Sequence, residues 1–180
     1  MIRTIPFLLL VLVVTNIHSG WNPFKKKYKR SGEENALLLI NELRDSSESI
    51  RELIDNSVGW AVFPRVAKVA AGVGGARGNG KVFYNSQLIG TAKLRQLSVG
   101  FQLGGQVYGQ VILFQDVVTF ERFLLGEYRF GGAVSVAVMD EGWGEDVGFK
   151  DGTAVLIKGQ KGLMYEAALK GQEYRYKPLK

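Results

Sequence analysis

The sequence predicts an α+β domain: a strongly bent or closed antiparallel β-sheet with N-terminal helices and one short internal helix. Three observations predict it. Apolar residues recur with helical periodicity from Glu33 to Asn56. Beyond Val58 the chain turns into short apolar runs punctuated by glycine, the grammar of strands and tight turns. Many glycines also fall inside those runs (Gly72, Gly74, Gly75, Gly100, Gly104 and Gly105), where strands bend sharply or backbones approach closely. The 180 residues, 46% hydrophobic and 22% charged with 23 Gly and 4 Pro, suit one globular domain and exclude disordered and collagen-like chains.

In chain order, residues 1–20 have the layout of a secretory signal. Arg3 is followed by the apolar run Ile5 to Val14 and by small residues at Ser19 and Gly20, where cleavage is expected. The run is shorter than the ~20 apolar residues of a comfortable membrane span. A secreted, periplasmic or cell-envelope location is therefore expected. A more basic flank tends to stay cytoplasmic, so the competing reading is an uncleaved anchor with the domain inside. Residues 21–32 form a basic aromatic linker in which Trp21, Phe24 and Tyr28 interleave with Lys25, Lys26, Lys27, Lys29 and Arg30. Aromatic rings favour the membrane interface and each cation near an anionic surface contributes ~1 kcal/mol, so these eight residues are the first candidate lipid-binding site. The alternative is a solvated tail.

The single domain is expected over residues 33–180. Its first helical stretch carries Ala36, Leu39, Ile40 and Leu43 on one stripe, and its second carries Ile50, Leu53 and Ile54. Asp45, Ser46 and Ser47 divide them, and Ser49 with Glu52 is expected to cap the second helix. Strands are expected at Gly59 to Phe63, Val66 to Gly74, Gly80 to Tyr84, Ser98 to Gly105, Val107 to Gln115, Gly132 to Met139, Thr153 to Lys158, Leu163 to Leu169 and Glu173 to Tyr176. Gly78, Asn79 and Gly80 are expected to make a hairpin turn. A short buried helix between Asp116 as N-cap and Gly126 as stop carries Val117, Val118, Phe120, Phe123, Leu124 and Leu125.

The chemistry available to this chain is narrow. It contains no cysteine, and its only histidine is His18, inside the leader. Thiol nucleophiles, Cys-ligated metals, Ser-His-Asp triads and histidine acid/base catalysis are thereby excluded from a mature protein. Gly75 to Lys81 fits the spacing of a phosphate-binding loop. Val82 stands where that loop needs Ser or Thr, and a dinucleotide fingerprint from Gly72 would put its third glycine on Arg77. The carboxylates Asp140, Glu141, Glu145 and Asp146 lack the ligand spacing of a calcium loop and read as a solvated loop. No enzyme activity, cofactor or metal is expected. The net charge of +6 resides in Arg3 and the linker, because residues 31–180 carry 17 Lys and Arg against 17 Asp and Glu. A neutral domain is not expected to offer the wide basic face of a nucleic-acid binder.

Several ordered motifs resemble the SYLF family. Val62-Phe63-Pro64 with Lys68, then Val73-Gly74-Gly75 with Gly78 and Gly80, is similar to its opening pattern. Ser98 to Gln106 followed by Val111 to Phe114 is similar to its central segment, and Lys161 to Gly171 to its ending, so the resemblance covers roughly Glu33 to Pro178. Ala70 and Ala71 stand where the family more often has glycine, and the family's W-S-x-P is missing around Thr91 to Gln96. The resemblance implies binding of anionic phospholipid, with phosphoinositides the ligands of eukaryotic members and filamentous actin a partner of some yeast members. An anionic phospholipid membrane is the expected partner, and no protein partner is specified. Should the tail not be the contact, Lys68, Arg77 and Lys81 around the first hairpin are the next candidates. The other class of reading is a structural or interaction protein of the envelope with no lipid ligand, or an actin-binding module if the chain is eukaryotic and cytosolic.

Overall fold

A computed structural model describes residues 30–128, 135–138, 148–159, 169 and 171–180. Two short helices come first. Helix α1 (Gly32–Arg44) begins where the Ser31 hydroxyl accepts from the Glu34 N–H, with Glu33 and Glu34 in the first turn and Arg44 in the last, the arrangement that complements a helix dipole. Helix α2 (Glu48–Asp55) is capped by Ser47, whose side chain accepts from the Ile50 N–H at 3.2 Å. The cap thus lies two residues before the expected Ser49. Starting there gives Ile50, Leu53 and Ile54 a complete buried stripe, and the Arg44–Asp55 ion pair at 2.7 Å ties the two helices together.

The sheet is dominated by two very long strands, β1 (Gly59–Tyr84) and β2 (Gln87–Phe114), of 26 and 28 residues. They form one antiparallel hairpin that pairs from Gly59↔Phe114 to Tyr84↔Gln87. Its turn is Asn85-Ser86, with φ of 46° and 63°, a two-residue loop in the left-handed region that matches strand twist. The expected turn at Gly78-Asn79-Gly80 is corrected accordingly: these residues lie inside β1. Their glycines serve a close approach instead. The hairpin is folded across its middle, so the two halves of β1 run antiparallel side by side. The Asn85 N–H donates to the Val58 carbonyl at 3.0 Å, and a Cβ at Gly59 would stand 2.9 Å from the Phe83 carbonyl oxygen. Further along, a Cβ at Gly80 would stand 2.7 Å from the Val62 carbonyl oxygen. The separately expected strands within 59–84 are therefore one bent strand.

Helix α3 (Val117–Leu124) follows, with the Asp116 carboxylate accepting from the Thr119 N–H at 2.8 Å and Gly126 at φ 75° behind it, as the sequence predicts. Strands β3 (Ser135–Val138), β4 (Thr153–Lys158) and β5 (Gln172–Pro178) complete the sheet. Its path is β1-β2-β4-β3, with β5 pairing to the first half of β2. β3 and β4 are parallel, an exception to the antiparallel expectation that the long connection between them permits. Among the described residues no ladder joins β3 to β5, so the α+β fold has a strongly bent, open sheet. Most of the strand expected at Leu163 to Leu169 lies outside the described residues.

Two apolar clusters sit on opposite faces of the sheet. The inner cluster packs Phe63, Val66, Tyr108, Ile112, Phe114 and Tyr174 against Phe120 and Phe123 of α3. The outer cluster packs Leu39, Ile40, Leu43, Leu53 and Ile54 of α1 and α2 against Trp60, Val62, Val111, Leu113 and Leu156. Residues 59–63 of β1, 108–114 of β2 and 153–157 of β4 are therefore buried on both faces, which is why Val111 to Phe114 and Ala154 to Ile157 are continuous apolar runs. Residues 76–82 of β1 and 90–96 of β2 have only their inner face covered.

Candidate functional site

Residues 76–82 of β1, 90–96 of β2 and 172–175 of β5 alternate between buried and more exposed positions. Ala76, Gly78, Gly80 and Val82, then Ala92, Leu94 and Gln96, then Gln172 and Tyr174 point inward and are buried. The residues between them lie on the outer face. Register sets Arg77 directly opposite Arg95, Asn79 opposite Lys93, and Lys81 opposite Thr91. Across the next ladder Lys93 faces Arg175, Thr91 faces Lys177, and Arg95 faces Glu173. Arg65, on the first half of β1, joins the same surface because the folded hairpin lays it beside Gly78. Arg65, Ala67, Arg77, Asn79, Lys93 and Arg95 line a groove of about 360 Å³.

The electrostatics of this face are one-sided. Like charges placed directly across a sheet destabilise it, and here Arg77 meets Arg95 and Lys93 meets Arg175. Among the described residues none of Arg65, Arg77, Lys93 and Arg95 makes an ion pair. One carboxylate, Glu173, stands across the ladder from Arg95; away from this face Glu34 is with Arg30 at 3.8 Å, Glu42 with Lys158 at 2.6 Å, and Asp55 with Arg44. An arrangement of this kind recognises anions, and guanidinium forks suit phosphate oxygens. Three apolar side chains continue the outer face beyond the groove: Val69, Leu97 and Val107 are 62%, 85% and 49% exposed.

The sequence-predicted residues divide into three groups. Trp21, Phe24, Lys25, Lys26, Lys27, Tyr28 and Lys29 lie outside the described residues, as do Asp140, Glu141, Glu145 and Asp146. Arg30 is exposed at the head of α1 and paired with Glu34. Arg77 and Lys81 stand on the basic face, while Lys68 is half-buried opposite Gln106 and does not line the groove. The expectation that a neutral domain has no wide basic face is corrected: periodicity of two and partial cover by helices sort the charges onto separate surfaces. Sequence reasoning missed Arg65, Lys93, Arg95, Arg175 and Lys177. Two signals could have found them. Between Asp55 and Asp116 the chain has six Lys and Arg and no acid, and Lys93-Leu94-Arg95 and Arg175-Tyr176-Lys177 alternate like strands with one charged face.

Interior polar groups are a second cluster. The buried Gln110 amide donates to the Gln172 side-chain oxygen at 2.9 Å and to the Tyr174 hydroxyl at 3.2 Å, while Gln172 donates to Tyr108. Burial pushes the Tyr108 hydroxyl up to about 12, partly offset by its hydrogen bond to Gln172, and pushes Tyr174 well above the usual tyrosine range. These groups stay neutral and hold β5 to β2. Among the described residues no group of three or more His, Cys, Asp and Glu could hold a metal ion, and no helix is long and apolar enough to cross a membrane.

No family model matches the chain. It is similar to Beta cell expansion factor A of Aeromonas veronii, with 28% identity over 154 residues, covering 77% of this chain and 56% of the relative. The chain thus spans about half the length of the curated relative that it matches, and the likeness is that of a distant homologue.

Proposed function

We propose that this chain is a SYLF-type, non-enzymatic lipid-binding protein of the cell envelope that associates with anionic phospholipid. The observation that carries this reading is the outer sheet face where Arg77 opposes Arg95 and Lys93 opposes Arg175, with no ion pair to Arg77, Lys93 or Arg95 among the described residues. Such a face costs stability in isolation, and phosphodiester headgroups supply the missing negative charge. The ordered SYLF-like motifs support the same ligand class, and the signal-like leader supports an envelope location. In a mature chain the absence of cysteine and histidine supports binding rather than catalysis.

Co-sedimentation with phosphatidylcholine/phosphatidylglycerol vesicles tests the reading. The wild-type chain binds at low salt and releases as salt screens the contact over about a Debye length. The double variant Arg77→Glu/Arg95→Glu reverses two cations worth ~1 kcal/mol each at an anionic surface, and loses at least tenfold in affinity with its circular dichroism unchanged. Wild-type protein that ignores anionic vesicles would overturn lipid binding. A variant that binds as tightly as wild type would remove the sheet face from the contact.

A further inference from the structure

We propose that, away from a membrane, the basic face is covered by the acidic helices of a second copy of this chain, in a two-fold dimer that anionic lipid opens. The opening by lipid rests on the lipid reading above, whereas the dimer rests on the placement of charge alone.

Two surfaces of opposite sign adjoin on the outer side of the sheet. Arg65, Arg77, Lys93 and Arg95 line the groove and make no ion pair among the described residues, with Glu173 across the ladder from Arg95. On α1 and α2 and the turn between them, the exposed Glu33, Asp45, Glu48 and Glu52 make no ion pair among the described residues either. Both helices pack on the outer face, and α1 borders the basic strip. A Cβ at Gly32 would stand 3.4 Å from Lys81 Cε, and Asn79, the next outward residue of that strand, lines the groove. A Cβ at Gly109 would stand 3.0 Å from Leu39 Cδ2 and 3.6 Å from the carbonyl oxygen of Pro64, the residue before Arg65.

Acid beside base on one face is self-complementary. A two-fold axis along the boundary sets the helices of each copy on the cations of the other, an isologous contact that closes at two chains. The dimensions agree. Helix α1, of 13 residues, is about 20 Å long, and residues 76–82 of β1 extend about 23 Å. Leu37 and Leu38, each 38% exposed on α1, give the contact an apolar component. The basic strip measures about 20 by 15 Å at ordinary strand spacing, so two reciprocal contacts hide roughly 600 Å² per copy, the low end for a specific interface. A contact of this size between exposed charges is weak and screened by salt. It also occupies Arg77 and Arg95, so a second copy and a phospholipid surface compete for the same guanidinium groups.

Sedimentation velocity of the purified protein without lipid tests the dimer. At about 0.05 M salt the mass reaches that of two chains as concentration rises, and at about 0.5 M, where the Debye length is roughly 4 Å, it returns to that of one. Arg77→Glu/Arg95→Glu and Glu48→Lys/Glu52→Lys, with circular dichroism unchanged, are each monomeric at low salt. Mixing the two variants restores the dimer, because both contacts then join opposite charges again. Protein that stays monomeric at low salt overturns the dimer, as do dimers that survive both high salt and Arg77→Glu/Arg95→Glu, and either result leaves lipid binding standing. Growth into larger species overturns the two-fold arrangement. If the helix variant does not fold, the salt series and the sheet variant decide the question. The chain has no cysteine, so Glu121→Cys, exposed on α3 at the opposite face, takes a single fluorophore. Donor- and acceptor-labelled copies transfer energy in the dimer and lose the transfer on a large excess of phosphatidylcholine/phosphatidylglycerol vesicles. Transfer retained in protein that co-sediments overturns the competition, and transfer retained without co-sedimentation overturns the lipid reading and leaves the dimer standing.

Discussion

Gly80 has no room for a side chain, because a Cβ there would press within 2.7 Å of both the Val62 carbonyl oxygen and the Phe63 ring. Both neighbours belong to the other half of the same strand and are buried, so neither can move aside cheaply. Overpacking of this kind costs ~1–3 kcal/mol. Gly80→Ala is expected to lower stability by about that amount in urea denaturation. Gly148→Ala, with nothing within 4 Å of its Cβ, should change it by less than ~0.5 kcal/mol. Equal midpoints for the two variants would mean that the halves of β1 are not packed this closely. The sequence showed that these glycines had a structural purpose. It could not show which purpose, because Gly78-Asn79-Gly80 carries the composition of a turn and only the long-range contact with Val62 and Arg65 tells otherwise.

Elements defined by local chemistry were legible, and those defined by distant partners were not. Helix α3 is set by Asp116 and Gly126, both within one turn of its ends, and β4 coincides with the apolar run expected at Thr153 to Lys158. The first half of β2 was missed because its inward residues Ala92, Leu94 and Gln96 are a weak apolar series between charged neighbours. Its partner β5 is locked to the second half of β2 by Gln110, Gln172 and Tyr174 across the interior. That lock is sensitive to alkali. Tyr108 titrates near 12 when folded and near 10 when unfolded, so the unfolded chain loses its proton first as pH rises. The stability that follows from the buried neutral hydroxyl is full below pH 10 and is lost between 10 and 12. The urea midpoint should fall steeply in that window, and Tyr108→Phe should show a shallower fall. Parallel curves for the two proteins would mean that the buried hydroxyl does not contribute.

Across the whole molecule, charge is sorted by layer: α1 and α2 hold Glu33, Glu34, Glu42, Glu48, Glu52 and Asp55, while β1 and β2 hold cations and no acid. The count of 17 against 17 conceals this, since it ignores which strand faces the helices cover. The helices shield the apolar half of the outer face and leave the cationic half to solvent. Upstream, Lys25, Lys26, Lys27, Lys29 and Arg30 offer a second cationic group, joined to the domain at the start of α1. Two contacts on one chain act through effective concentration, so removing either costs more than its own share of the affinity. Arg30 is already engaged with Glu34 at 3.8 Å, so the four lysines carry most of the tail's part. Replacing the five tail cations with glutamine should lower affinity for anionic vesicles at low salt at least tenfold and flatten its salt dependence. Adding Arg77→Glu/Arg95→Glu to that variant should remove the residual binding. Thermal unfolding should change little for the tail variant, because the substituted segment contributes only the exposed Arg30–Glu34 pair among the described contacts. If the tail variant binds vesicles as tightly as wild type with the same salt slope, the tail is a solvated linker and the whole attraction belongs to the sheet.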